Sequence, residues 1–264
     1  MIIPLTEKEN EMTDTRKKFD GRAEEYEKGR PEYAEAFMEA LFRNYGFSST
    51  ATVADIGSGT GKFAGQLLKH GCVVYGVEPN DEMRQKAAEG FSEYNGFHSV
   101  NGTEAQTGLL DQSVDFVTTA QAFHWFDVRM FQKECRRILK PDGQVFLIWN
   151  VRDMNDALNR DAYEVYRQFC PEFHGFSGGT KKDDIRIQEF FSGRYQYVEY
   201  ENPLFYTEQT FISRSLSSSY SLTEKDAGYA EYLKALQSLF HKYEKSGMLT
   251  MGNHTVSYFG IPGK

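Results

Sequence analysis

The chain has 264 residues, a formal net charge of −8 and a pI near 5.4. That length is ample for a single domain with a full core, and the acidic balance argues against a nucleic-acid backbone as partner, which would ask for a basic face. Cys72, Cys135 and Cys170 are scattered and form no C-x-x-C, which excludes a zinc ribbon or disulfide framework, and no apolar run reaches membrane-spanning length. The first stretch is too charged for a secretory leader, so a cytoplasmic location is expected and the two glycosylation sequons, at Asn101 and Asn253, are chance matches. The 21 Phe and 16 Tyr exceed what packing alone requires, so some are expected to line a pocket.

Residues 5–29 are charged and helix-prone, with Phe19, Ala23 and Tyr26 at helical spacing. Gly29-Arg30-Pro31 breaks that pattern, and Pro31 suits the first turn of a second helix running through Tyr33, Phe37, Leu41 and Phe42. The apolar run Val53-Ala54-Asp55-Ile56 then stops at glycines on every second residue, Gly57, Gly59 and Gly61, with Ser58 and Thr60 between them. An amphipathic helix follows at once, with Phe63, Ala64, Leu67 and Leu68 on one face. Strand, glycine turn and helix make the first unit of an open parallel sheet, whose ligands sit beyond the carboxyl ends of the strands. The spacing is neither the G-x-G-x-x-G of a dinucleotide fold nor a phosphate-cradling P-loop.

A second buried-strand run, Cys72–Glu78, ends in a carboxylate, where a ribose diol lies in sheets of this kind. Further along, the pattern predicts a helix over Met83–Ala88, a strand near Phe97–Asn101, the turn Gly102-Thr103-Glu104-Ala105 and a strand over Ser113–Ala120. A helix over Arg129–Leu139 leads through the turn Lys140-Pro141-Asp142-Gly143 to a fifth strand, Gln144–Asn150. The remainder predicts an aromatic helix carrying Tyr163, Tyr166 and Phe169, a sixth strand over Gln196–Phe205, a long helix from about Glu224 to Lys245 and a last strand, Thr255–Phe259.

Residues 53–61 resemble motif I of the class I S-adenosylmethionine-dependent methyltransferases. Glu78-Pro79 followed by Met83 resembles motif II, and Gly102–Ala105 resembles the family's adenine-flanking turn. The string Ala-Phe-His-Trp-Phe-Asp at 122–127 is similar to small-molecule members of the methyltransferase type 11 group, and Leu-Lys-Pro-x-Gly at 139–143 is a further landmark. The string Phe19…Tyr26…Arg30-Pro31-Glu32-Tyr33 resembles the N-terminal segment of relatives of trans-aconitate methyltransferase, which folds over the cofactor.

The resemblance implies an α/β fold, a Rossmann-like doubly wound sheet of seven strands, mostly parallel with an antiparallel last strand, plus a helical lid. It implies one domain over 1–264, with a lid segment at 1–45, a cofactor-binding core at 46–150, and lid insertions and the final strands at 151–264. The implied cofactor is S-adenosyl-L-methionine, held by Asp55, Gly57, Ser58, Gly59, Thr60, Gly61, Glu78, Pro79, Met83, Thr103, Glu104, Ala120, Gln121, Tyr26 and Arg30. Arg30 has an equally good reading as an exposed residue of an amphipathic helix.

Phe123 and Trp125 are placed on the acceptor side, and His124 is the candidate base because its pKa lies near neutrality, unless it only bonds lid or backbone. An acidic acceptor would require arginines instead, for which Arg30, Arg152 and Arg214 are the candidates. The [DN]-P-P-[YFW] of nucleobase amino-methylating enzymes is absent after the fourth strand, as is the Cys of 5-methylcytosine enzymes. Asp153 and Asp156 offer oxygens, but no second set is spaced to complete a metal site. The acceptor is thus expected to be a small molecule, either a carboxylic acid or a natural-product or quinone precursor; the alternative is a protein that binds the donor without transferring its methyl group.

Overall fold

In the computed structural model, which describes residues 31–176, 184–218 and 220–263, apolar strand runs assemble one seven-stranded sheet in the order β3-β2-β1-β4-β5-β9-β6. Its strands are β1 (Thr52–Ile56), β2 (Val73–Val77), β3 (Phe97–Val100), β4 (Val114–Ala120), β5 (Leu139–Arg152), β6 (Gln196–Glu201) and β9 (Asn253–Gly260). β1 to β5 pair in parallel, and β9 runs antiparallel to both neighbours, β5 and β6. The order reverses between β1 and β4, which opens a crevice at the carboxyl ends of those strands.

Because successive strand residues face opposite sides, β5 serves two cores. Phe146 and Ile148 join a cluster with α1 (Glu35–Asn44) and α2 (Lys62–Lys69), while Val145, Leu147 and Trp149 join one with α4 (Val128–Ile138) and α6 (Ile185–Phe191). Asn80 caps α3 (Asp81–Gly90) by accepting from the Met83 N–H, and Asp127 caps α4 in the same way. A third, aromatic-rich cluster unites α5 (Ala157–Phe169), α7 (Glu208–Leu216) and α8 (Tyr229–Tyr243) with a two-stranded sheet of β7 (Leu204–Tyr206) and β8 (Leu249–Met251).

Several expected boundaries move, each for a local reason. Pro31 does not open a helix: α1 begins at Glu35, because Gln66 accepts from the Tyr33 N–H and Thr255 accepts from the Ala34 N–H, holding 31–34 extended. The expected turn at Lys140–Gly143 lies within β5, as a register shift between the Val114–Leu139 and Phe116–Gln144 pairs. The strand expected over Gln196–Phe205 is cut at Asn202-Pro203 into β6 and β7, which belong to different sheets; proline has no N–H to continue a ladder. The last long helix starts at Tyr229 behind Gly228, whose φ of 86° ends the preceding turn, rather than at Glu224. The helix expected over residues 5–29 lies outside the described residues.

Beyond their ladder, β5 and β9 are joined by a pair of facing rings. Phe146 and Phe259 are register partners and stack at 4.8 Å, and Phe47 meets Phe146 edge-on at 5.3 Å. Replacing fully buried Phe146 with alanine should therefore cost about 3–5 kcal/mol, read by urea unfolding of the ligand-free protein. A loss below about 1 kcal/mol would mean that the site collapses around the missing ring.

Candidate functional site

The crevice is shaped first by the loop after β1. Gly57, Gly59 and Gly61 have φ of 70°, 57° and 85°, a region that side chains rarely adopt. Their reasons differ. A Cβ on Gly57 would meet the Ala122 Cβ at 2.6 Å, and one on Gly61 would meet the Phe91 ring at 2.4 Å, so both are packing glycines as well. Gly59 has only the Met83 sulfur within reach, at 3.8 Å, and lies bare along the cleft. Gly61 then caps α2, which directs the positive end of the helix dipole towards the loop.

The loop is fastened to β2. The Gly57 N–H donates to the Val77 carbonyl at 2.8 Å, and the Gly59 N–H donates to Glu78 Oε2 at 2.9 Å. The other Glu78 oxygen accepts from the Asn80 N–H at 2.9 Å. Two oxygens offer about four lone-pair sites, so this buried carboxylate keeps acceptor capacity after tying two elements together. Burial pushes its pKa up, against the pull of those two amides and of Arg84.

Asp55, at the end of β1, is 1% exposed and accepts from the Thr118 hydroxyl at 2.8 Å. Desolvation raises its pKa to about 7; the Thr118 bond lowers it and the Glu78 charge raises it further. Asp55, Gly57, Ser58, Gly59 and Thr60 line the cleft together with Ala120 and Gln121. Gln121 takes a φ of 59° at the end of β4, bonding the Ile148 carbonyl through its N–H and the Asn150 carbonyl through its amide.

Pro31 and Tyr33, from the N-terminal string, also line the cleft, and Lys62, Phe63 and Asn150, which no motif marks, complete the lining. Asn150 is the hub among them. Its amide donates to the carbonyls of Pro31 and Glu32 at 3.3 and 3.1 Å, and its Oδ1 accepts from the Thr255 hydroxyl at 2.7 Å and the Asn202 amide at 3.1 Å. The signal was visible: a lone amide side chain ends the apolar run Val145–Trp149 at the carboxyl edge.

Other expected residues fall elsewhere. Thr103 closes a tight turn with Gln106, and Glu104 accepts from the Asp127 N–H at 3.4 Å; neither lines the cleft. Pro79 lies between Glu78 and the Asn80 cap, and Met83 is buried beside Gly59. Phe123 is fully buried among Phe126, Phe131, Trp149 and Phe190, so it is a core ring, not a wall of the cleft. Trp125 is 46% exposed with its ring against His124 at 4.8 Å, while the His124 carbonyl accepts from Arg186. Arg152 lies over the Phe176 ring, Arg214 sits on α7 with Arg152 among its electrostatic neighbours, and Asp156 caps α5. Tyr26 and Arg30 lie outside the described residues. No helix among those described is long and apolar enough to cross a membrane.

A methyltransferase domain family matches residues 54–147, the span from β1 to β5. An uncharacterized methyltransferase of Mycobacterium tuberculosis is 32% identical over 200 residues, 75% of each chain. A methyltransferase-like protein of Schizosaccharomyces pombe is 33% identical over 161 residues, 60% of this chain and 62% of that one. The fold is shared with the solved YcgJ protein of Bacillus subtilis, at a TM-score of 0.53 and 17% identity, covering 88% of this chain and all of that one. With its glycine loop, its seven-stranded order and these relatives, the chain belongs to the class I S-adenosylmethionine-dependent methyltransferases.

Proposed function

We propose that this methyltransferase acts on a small acidic organic molecule held between the crevice and the aromatic layer of α5, α7 and α8, which serves as a lid. The reading rests chiefly on Asn150, which straps residues 31–32 down beside the glycine loop and leaves a confined cleft instead of an open face. That cleft suits the family's donor. Bare Gly59 lets the backbone approach a ligand closely, Glu78 has lone pairs to spare for a ribose diol, and buried Asp55 offers negative charge to a cationic ligand.

In this reading Gly57–Thr60, Gly61, Ala120 and Gln121 hold the amino-acid end and Glu78 with Pro79 the sugar, with Met83 beside Gly59 towards the base. When bound, the donor supplies a methyl carbon on a sulfonium, which passes to the acceptor's lone pair as the carbon–sulfur bond breaks and sulfur keeps the electrons. The protein's share is to align the two reactants and keep water out, which in well-oriented systems supplies roughly 7–11 kcal/mol. A carboxylate acceptor needs no base; a hydroxyl does, and His124, three residues beyond Gln121, is then the candidate.

Transfer itself is tested by incubating the protein with methyl-labelled donor and a metabolite extract. A labelled methylated product of an acidic precursor, with equimolar S-adenosylhomocysteine, is expected; tight donor binding without turnover would favour a protein that only binds the donor. Glu78→Gln should weaken S-adenosylhomocysteine binding by about 1–3 kcal/mol in calorimetry, and an unchanged affinity would remove Glu78 from the sugar site.

Stability should depend on pH through Asp55. Its folded pKa, about 7, stands above the ordinary 3.8, so the folded chain holds the proton more tightly than the unfolded one. That contribution is complete below the ordinary value and is lost as pH rises towards the folded one. The ligand-free protein should therefore lose melting temperature between about pH 4 and 7, and Asp55→Asn should flatten that slope. Parallel slopes for the two proteins would contradict the assignment.

A further inference from the structure

Two residues past Asn150, β5 carries Arg152 on the same strand face, about 7 Å further along at the usual rise. Its guanidinium lies over the Phe176 ring at 4.2 Å, and its Nη1 contacts the Met251 thioether at 3.3 Å, a weak acceptor for so strong a donor. Arg214, on α7, is half-buried, and its Nε is enclosed without a hydrogen-bond partner among the described residues. Its electrostatic neighbours are Tyr206, Arg152, Tyr166 and Tyr220. Neither arginine has a carboxylate within ion-pair distance among the described residues, whereas Arg84 and Arg186 each have one and Arg137 has two.

Two guanidiniums that feel each other's charge, with no counter-charge among the described residues, are a costly arrangement unless an anion completes it. Burial keeps the Tyr206 and Tyr220 phenols protonated, so they remain donors. The Tyr166 hydroxyl is already engaged with Ser215 at 2.9 Å.

We propose that Arg152 and Arg214 seat an oxyanion of the acceptor that is distinct from the group methylated, with Phe176 and the tyrosines around its apolar body. This rests on the proposed use of the cleft by donor and acceptor. An oxygen clamped between guanidiniums has its lone pairs occupied and its charge neutralised, so it is a poor nucleophile. Anchor and nucleophile must then be separate groups, and the acceptor is bifunctional: one oxyanion in the arginine pair, one reacting atom nearer Asn150 and Gln121.

The test titrates the protein by calorimetry with benzoate, phenyl phosphate and the neutral benzamide, each with and without S-adenosylhomocysteine. Benzoate or phenyl phosphate should bind about tenfold or more tightly than benzamide, and whichever wins identifies the oxyanion as carboxylate or phosphate. Arg152→Met and Arg214→Met should each weaken anion binding about tenfold, with S-adenosylhomocysteine affinity unchanged. Arg214→Met should melt at the same or a higher temperature, since it removes a buried unpaired charge. Equal binding of benzamide, no anion binding, indifference to both substitutions, or a marked drop in melting temperature of Arg214→Met would each overturn the proposal. The titrations without S-adenosylhomocysteine keep the anion result independent of the donor site, whose own failure would show as lost S-adenosylhomocysteine binding in the unsubstituted protein.

Discussion

One carboxylate holds the site in shape. Glu78 takes the Gly59 N–H on one oxygen and the Asn80 N–H on the other, and so locks a left-handed glycine loop from β1 to the start of the helix after β2. Backbone amides buried without acceptors would be expensive, and an ionised acceptor bonds them more strongly than a neutral one. The three glycines supply the conformation and Glu78 makes it the preferred one. Everything that lines the cleft from the β1 side follows from that pairing.

The opposite wall depends on a neutral group. Asn150, near the carboxyl end of β5, joins four chain segments: the 31–32 backbone, Thr255 of β9, Asn202 after β6, and Gln121 through its own carbonyl. An amide has both donors and acceptors, so it can serve carbonyls and hydroxyls at once, which neither a carboxylate nor a lysine could do. The lead-in to α1 therefore stays extended beside the cleft although its sequence favours an earlier helix start.

Charge is divided along the carboxyl edge of the sheet. Asp55 and Glu78 are buried acids beside the glycine loop, raised in pKa because burial disfavours their charged forms. Arg152 and Arg214 form the opposite pole beyond Asn150, within the aromatic layer. A cationic ligand is favoured at one end and an anionic one at the other. The fold thus stores electrostatic cost at two places, which the proposed function assigns to ligands of opposite sign.

Local sequence settled the core of this molecule. The glycine spacing, the acid ending the second strand run and the alternation of strands with amphipathic helices identified β1 to β5, their flanking helices and the glycine-loop lining of the cleft, because turn conformation and hydrophobic period are properties of neighbouring residues. It could not separate β6 from β7 across Asn202-Pro203, since both halves alternate and only their partners in different sheets distinguish them. Nor could it tell that Phe123 is a core ring while Trp125 is exposed, two residues apart in one aromatic string. Asn150, Gln66 and Tyr33 gained their roles, and Arg152 and Arg214 their closeness, from contacts between residues 33 to 119 positions apart or on separate elements. Such contacts exist only once the sheet order has brought distant strand ends to one edge, and that is a decision of tertiary packing.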